Sequence, residues 1–423
     1  MKILHTADLH LGQIIYQNYD RADEHRHFFK QLAEWCRQEQ PDALLISGDV
    51  FDIQQPSATV KKIFNDYFVQ LHLQCPSMHI VITAGNHDSA SRIQADSSLW
   101  SLNNVTVVGV PPAADATLTE EWYLNYIVKL HSGYIVALPY MVGERTRAIQ
   151  TILDAVDADN HEGKPVVMMG HLAVNGLDPE GHDFDIGRLR TQEVGSLGSG
   201  YDYLALGHIH KPQTIGHPEL HFLSQFTLPS PVVRYAGSVL HVSCDENYPH
   251  SVSMVEMDRH GGDITISQLR VDEWRHFHTL PLDGSSFTHA DDALQAIKEF
   301  VQTATRGYIR LRMDIHAALP SNFSQIVYQL LEPYHEEWRY NPKMLWTGQD
   351  DSQQDEKQRP VFQVAELQQM TDPMTFIERT RDQYPSLDIE DVRMAFEEVK
   401  KEMERMREET QQSKRQKAKI GES

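Results

Sequence analysis

From Lys2 to about Arg270 short apolar runs recur along the chain, and each one stops at a cluster of Gly, Asp, His or Asn. The runs are residues 3–7, 43–47, 79–84, 166–169 and 203–206. Continuous apolar stretches of this length, without polar alternation, are the pattern of strands buried on both faces. Between them lie segments with apolar residues three and four apart, such as 24–38 and 60–73, which predict amphipathic helices. Strands alternating with helices predict one α/β domain over residues 1–270, with its chemistry on the loops at the strand ends.

The pattern changes after Val271. Residues 271–347 show a strand-like piece, a helical piece at 292–303, an alternation at Ile309, Leu311, Met313 and Ile315, a second helix at 324–331 and a last strand-like stretch at 338–345. That order predicts a small β-α-β-α-β domain. Residues 348–360 open with GQDDSQQDEKQR, have no apolar period and read as a linker. In 361–423 the residues Ile389, Val392, Phe396, Val399, Met403 and Met406 form an apolar stripe on an expected helix rich in Glu, Lys and Arg. Such a stripe needs cover, from the chain's own core or from a partner protein. Its position between a linker and a polar tail favours the partner.

Charge narrows the function classes. Against 38 Lys and Arg stand 60 Asp and Glu, a formal net charge of −22. A chain so acidic does not hold nucleic acid by phosphate neutralisation alone, so any nucleic-acid role needs bound cations or a basic partner. No stretch of about 18 apolar residues and no leader-like segment occurs, which leads to the expectation of a cytoplasmic protein with no membrane association. Cys36, Cys75 and Cys244 are scattered, without the paired spacing of a disulfide framework or a thiolate zinc site.

The candidate chemistry sits where the apolar runs end. Asp8-Leu9-His10 follows the first, Gly48-Asp49-Val50-Phe51-Asp52 the second and Gly85-Asn86-His87-Asp88 the third. Gly170-His171 and Gly207-His208-Ile209-His210 follow the last two. An Asp-x-His triplet, or one histidine among 23, means little alone. All five clusters at strand ends, led by Gly or by a strand, are another matter. Carboxylate, amide oxygen and imidazole together suit borderline to hard divalent ions such as manganese, iron or magnesium, and the lack of thiolates argues against structural zinc. Two such ions roughly 3.5–4 Å apart can clamp the attacking and leaving oxygens of an in-line displacement at phosphorus. One carboxylate has to bridge them, and Asp49 is the natural choice. His87 offers a group that can donate a proton near neutral pH.

This order of clusters resembles the calcineurin-like metallophosphoesterase superfamily and, within it, bacterial DNA nuclease subunits. The flanking text ILHTADLHLGQ, ISGDVFD, AGNHDS, ALGHIHKPQ and RYAGSVLHVSCDE adds to the likeness, which is strong over residues 1–246 and rests on layout beyond them. The resemblance implies a four-layer α-β-β-α sandwich with a small α+β cap at 271–347 that positions DNA, and a helical C-terminal segment. It implies that Asp8, His10, Asp49 and His210 hold one ion and Asp49, Asn86, His171 and His208 the other, with Mn2+ as the expected metal. It makes His87 the residue that contacts the scissile phosphate, with Asp88 either orienting His87 or capping a helix. Asp52 stands where some relatives carry histidine, which puts a substrate contact there in doubt. It further implies exonuclease action on double-strand ends and endonuclease action on single strands and hairpins, in DNA repair, recombination and replication. The expected partners are DNA, a second copy of the chain and an ABC/SMC-type ATPase bound through 361–423, in a heterotetramer.

Two other readings compete. A phosphatase or cyclic-nucleotide phosphodiesterase could use the same scaffold, since metal ligands do not choose substrates. Phosphoprotein phosphatases of the superfamily typically continue the second cluster with Arg-Gly and write the third with Glu, whereas this chain has Ile53-Gln54 and Asp88. A scaffold that has lost its metals is the poorest reading, because every ligand position holds a competent residue.

Overall fold

The computed structural model describes residues 1–348 except 17–18, 96, 113–119, 144–145, 180–190, 221–222, 245 and 304. The linker and the helix with the Ile389 to Met406 stripe lie outside the described residues.

Four parallel strands, Lys2–Thr6, Ala43–Ser47, His79–Thr83 and Val105–Val108, form one half of a seven-stranded sheet. Ser251–Met257, Asp263–Arg270 and Gln225–Pro229 complete it as antiparallel neighbours on the other side of Lys2–Thr6. A second sheet runs Gln213–Thr214, Val232–Tyr235, Tyr203–Gly207, Val166–His171, Tyr134–Ala137 and Ile127–Lys129, parallel except at its two edges.

The pleat decides which core each side chain joins. Ile3, Leu45 and Val81 point into the space between the sheets, towards the face of the second sheet that carries Ile135, Val167 and Tyr203. Their neighbours Leu4, Leu44, Ile46 and Ile80 point the opposite way, onto Phe28 and Leu32 of helix Ala22–Glu39 and Phe64 and Phe68 of helix Ala58–Gln74. Each fully buried side chain of this kind contributes roughly 1.5–3 kcal/mol. On the second sheet, helix Thr146–Asp159 adds Ile149, Ile152, Leu153 and Val156 to the core. The result is an α/β sandwich of two sheets with helices outside. Ser57 caps its helix by accepting from Val60 N at 3.3 Å, and helix Ala22–Glu39 ends where Gln40 turns left-handed ahead of Pro41.

Residues 276–347 build a third sheet around the long strand Gly307–Ala318, with His276–Leu280, Phe287–His289, Trp338–Tyr340 and Leu345–Thr347 all parallel to it. Helices Ala290–Thr303 and Phe323–Leu331 cover it through Ile297, Val301, Val327 and Leu331. Ile309, Leu311 and Met313 are buried as their alternation predicts, but Ile315 is 41% exposed, near the end of the strand. The single stretch expected at 338–345 is two short strands, because Asn341 and Pro342 interrupt the ladder.

The third sheet meets the sandwich at Glu24, buried in the first turn of helix Ala22–Glu39. Its carboxylate accepts from Arg21 Nε and Nη2 at 3.1 and 2.6 Å, from the Tyr308 hydroxyl at 2.5 Å and from Arg339 Nη1 at 3.2 Å. Removing one partner of a buried charge network leaves the others uncompensated, at a cost of about 3–5 kcal/mol. Glu24→Ala is therefore expected to lower stability by that amount in urea unfolding, and an unchanged midpoint would contradict this account.

Candidate metal centre

Three adjacent parallel strands of the first sheet and two of the second end at the same edge. Lys2–Thr6 delivers Asp8 and His10, Ala43–Ser47 delivers Asp49, and His79–Thr83 delivers Asn86, His87 and Asp88. Val166–His171 ends in His171, and Tyr203–Gly207 leads to His208 and His210. Ligand sites at the carboxyl ends of parallel strands follow from this geometry, because the loops of neighbouring strands converge there.

The loops converge closely enough to constrain the backbone. Asp8, His10, Asp49 and His208 all have positive φ, at 51°, 44°, 48° and 92°. Non-glycine residues adopt such values only where the surroundings enforce them, and they gather at functional sites. Asp8 N donates to Gly48 O at 3.1 Å, His10 N to Asp49 O at 3.0 Å, and His208 N to the Asp8 carboxylate at 3.0 Å. Three glycines permit the approach. A methyl group on Gly48 would stand 2.1 Å from His171 Nδ1, one on Gly85 2.0 Å from Asp49 Oδ1, and one on Gly207 1.9 Å from Ser47 O.

The side chains then meet. His171 Nδ1 lies 2.8 Å from the Ser47 carbonyl, which can only accept, so this nitrogen carries the proton. That leaves Nε2 facing Asp49 Oδ2 at 3.2 Å and Asn86 Oδ1 at 3.0 Å. His208 Nδ1 reaches the same Asn86 oxygen at 2.9 Å. On the other side of Asp49, one ligand atom each of Asp8, His10 and His210 lies within 4.8 Å of the others. Carboxylate, amide and imidazole donor atoms that converge at these distances can share one cation. The donor set therefore fits divalent metal. His171 Nδ1 is also 4.0 Å from Asp8, but its proton is committed to Ser47, so it is Nε2 that can serve as a ligand.

Electrostatics agree. Burial pushes His171 down, yet the charges of Asp49 and Asp8 carry it up to about 9. Burial lifts Asp8 to about 7 against the pull of His171, with the charge of Asp49 adding to the rise. Asp49, despite its burial, is held well below the usual carboxylate range by His171 and His10. Two buried carboxylates that hold protons on neighbouring imidazoles attract a divalent ion for the same reason.

His87 is the exposed member of the group. Its backbone N donates to Asp49 Oδ1 at 2.8 Å, and its ring Nδ1 donates to the Asp52 carbonyl at 2.8 Å, which leaves Nε2 as the ring's free polar atom. With His10, Asp49, Asp52, Asn86, His208 and His210 it lines a cleft of about 240 Å³.

Asp88 corrects an expectation. Its carboxylate accepts from Val50 N at 3.1 Å, Phe51 N at 3.0 Å and Gly85 N at 2.8 Å, so it neither orients the His87 ring nor caps a helix. It clamps the two loops that carry Asp49 and Asn86. Burial and the charge of Asp49 push it up, and the three backbone donors oppose them. Asp52 takes the orienting role through its carbonyl on His87 and through its carboxylate, 3.3 Å from His10 Nδ1. Sequence reasoning missed that role and that of the Ser47 carbonyl, since a backbone oxygen leaves no mark in the sequence.

Residues 1–212 match the family model for calcineurin-like phosphoesterases. The chain is 31% identical over 282 residues to SbcD, a component of the nuclease SbcCD of Escherichia coli K12, covering 60% of this chain and 65% of that one. It is 29% identical over 283 residues to the SbcD component of Bacillus subtilis 168, covering 60% and 66%. The matched stretch thus spans just under two thirds of each relative. A dimetal phosphatase crystal structure from Danio rerio overlaps 63% of this chain and 98% of its own at 12% identity and a TM-score of 0.35. The family match spans the strand ends that assemble the cleft, from Asp8 to His210, and this chain belongs to the calcineurin-like phosphoesterases.

Proposed function

We propose that this chain is a DNA nuclease subunit that hydrolyses phosphodiester bonds with two divalent ions, most favourably Mn2+. The observation that supports it best is the meeting of Asp8, His10, Asp49, Asn86, His171, His208 and His210 in one cleft, in a chain similar to nuclease subunits. Asp8, His10, Asp49 and His210 would hold one ion and Asp49, Asn86, His171 and His208 the other. Bound there, the pair supplies positive charge for the scissile phosphate and a water acidic enough to attack near neutral pH. The protein's own part is positioning. Ser47 fixes the His171 tautomer, Asp88 locks the two loops, and Asp52 holds His87 with Nε2 available to a leaving oxygen.

The wider assignment follows the relatives. Their name denotes one component of a complex, and we extend to this chain an SbcC-like ATPase partner bound through 361–423, a homodimer within the heterotetramer, and a cytoplasmic role in DNA repair and recombination. The net charge of −22 suits a subunit that shares DNA binding with its ions and partner. No helix among the described residues is long and apolar enough to cross a membrane.

Incubation of the full chain with labelled duplex and hairpin DNA in Mn2+ tests the reading. Cleavage that stops with a chelator and returns with Mn2+ is the expected result. Turnover of a small phosphomonoester with intact DNA would make the chain a phosphatase instead.

A further inference from the structure

A second set of metal-competent side chains lies outside the cleft, on the segment that leads from strand Val232–Tyr235 into strand Ser251–Met257. His241, Glu246 and His250 each place one ligand atom within 4.8 Å of the others. Glu246 and His250 have fully buried side chains, and that of His241 is 12% exposed.

The surroundings dictate which atoms face inward. His250 Nδ1 lies 2.8 Å from Ser238 O and 3.2 Å from Ser238 Oγ, whose own hydrogen goes to Leu240 O. Both are acceptors there, so Nδ1 carries the proton and Nε2 the lone pair. His241 Nε2 lies 2.8 Å from the Glu273 carboxylate, which fixes the opposite tautomer and turns the lone pair of Nδ1 inward. Glu246 Oε1 accepts from Val242 N at 3.0 Å and Ser243 N at 2.9 Å, leaving Oε2 for the centre. Those three inward atoms, His241 Nδ1, Glu246 Oε2 and His250 Nε2, are buried and have no hydrogen-bond partner.

We propose that His241, Glu246 and His250 bind a third divalent ion of the zinc type, tetrahedral, with a fourth position open to water. The distances suit it. Bonds of about 2.1 Å place tetrahedral ligand atoms roughly 3.4 Å apart, and the observed separations from Glu246 Oε2 are 3.2 Å to His250 and 3.7 Å to His241. Protons serve less well. Filling both lone pairs with them would place two buried imidazolium rings against each other, with centroids 4.3 Å apart. A carboxylate on one ligating histidine and a backbone carbonyl on the other are the outer partners that metal-binding imidazoles require.

The position gives the ion a purpose. Val242 and Ser243, held by Glu246, line the catalytic cleft. Glu273 lies three residues before the first strand of the third sheet, and Val271 N donates to His250 O at 2.9 Å. The ion would pin the cleft wall to the junction where the third sheet begins.

This inference does not depend on the two-ion reading, and its test separates them. Full-length Asp8→Asn/Asp49→Asn protein, which lacks the central carboxylates of the cleft, is stripped with a chelator and titrated with Zn2+ by calorimetry, with bound metal counted by elemental analysis and folding checked by circular dichroism. One bound equivalent is expected, lost on adding Glu246→Gln or His250→Gln and weakened about 10–100-fold by Glu273→Gln. A folded Asp8→Asn/Asp49→Asn protein that binds no Zn2+, or one whose equivalent survives both Glu246→Gln and His250→Gln, overturns the site. Should that background not fold, Zn2+ is counted on the wild type and on His241→Gln/His250→Gln. A difference of one ion supports the site, and equal counts overturn it.

Discussion

Asp49→Asn is expected to abolish metal-dependent DNA cleavage, with a loss of at least about 10³-fold, equivalent to roughly 4 kcal/mol of transition-state stabilisation. The carboxylate stands between the two ligand groups, with Oδ2 3.2 Å from His171 Nε2 and 3.9 Å from His10 Nε2, and with Oδ1 taking the His87 N–H. An amide offers one neutral oxygen where two charged ones are needed, so a titration with Mn2+ should show weakened binding at both positions. His87→Gln separates binding from chemistry. The ring of His87 is exposed and held by the Asp52 carbonyl, and on the proposed reading it assists the leaving oxygen. That variant should keep both Mn2+ equivalents while cleavage falls about 10²–10⁴-fold. Equal cleavage by the wild type and both variants would sink the two-ion nuclease assignment.

Gly85→Ala should be among the most damaging single methyl groups in the sandwich. The added carbon would stand 2.0 Å from Asp49 Oδ1 and 2.2 Å from Asp49 N, and the second of these is backbone that cannot rotate away. Relief requires one loop to withdraw, and each loop is tied to the other by Asp88, through Val50 and Phe51 on one side and Gly85 on the other. A cost of about 3 kcal/mol or more is expected in urea unfolding, together with weaker Mn2+ binding because Asn86 follows directly. Gly163→Ala is the control. Its φ of 62° carries a modest strain, but nothing lies within 4 Å of the new carbon, so metal binding should not change. If Gly85→Ala unfolds at the wild-type midpoint, the loops are not packed as described.

Much of the site was legible because a strand and its terminal loop are local. An apolar run ending in Gly-Asp or Gly-His marks a buried strand whose next residue emerges at a sheet edge, and every such cluster from Asp8 to His210 does emerge at one edge. The same run does not tell which way its side chains face. Ile3 and Leu4 look alike in sequence, but the pleat sends one to the sheet interface and the other to the helices. Asp88 shows where local reading ends. Beside His87 in the chain, it was a candidate for orienting that ring, yet its lone pairs go to backbone donors contributed by another strand's loop. The Glu24 network is equally silent in sequence, since Glu24 and Arg339 are 315 positions apart.

What the sequence by itself determined is the kind of chemistry: which residues can bind metal, that they sit at strand ends, and that their clusters hold no cysteine. Side-chain type and short-range periodicity are written residue by residue, and the physics that reads them is local. Only the tertiary structure decided which donors share an atom, such as Asn86 Oδ1 between His171 and His208, which nitrogen of His171 Ser47 engages, and that His241, Glu246 and His250 bring three ligand atoms within 4.8 Å of one another. Those depend on distances between chain segments far apart in sequence, set by sheet order and by the close approach that Gly48, Gly85 and Gly207 permit.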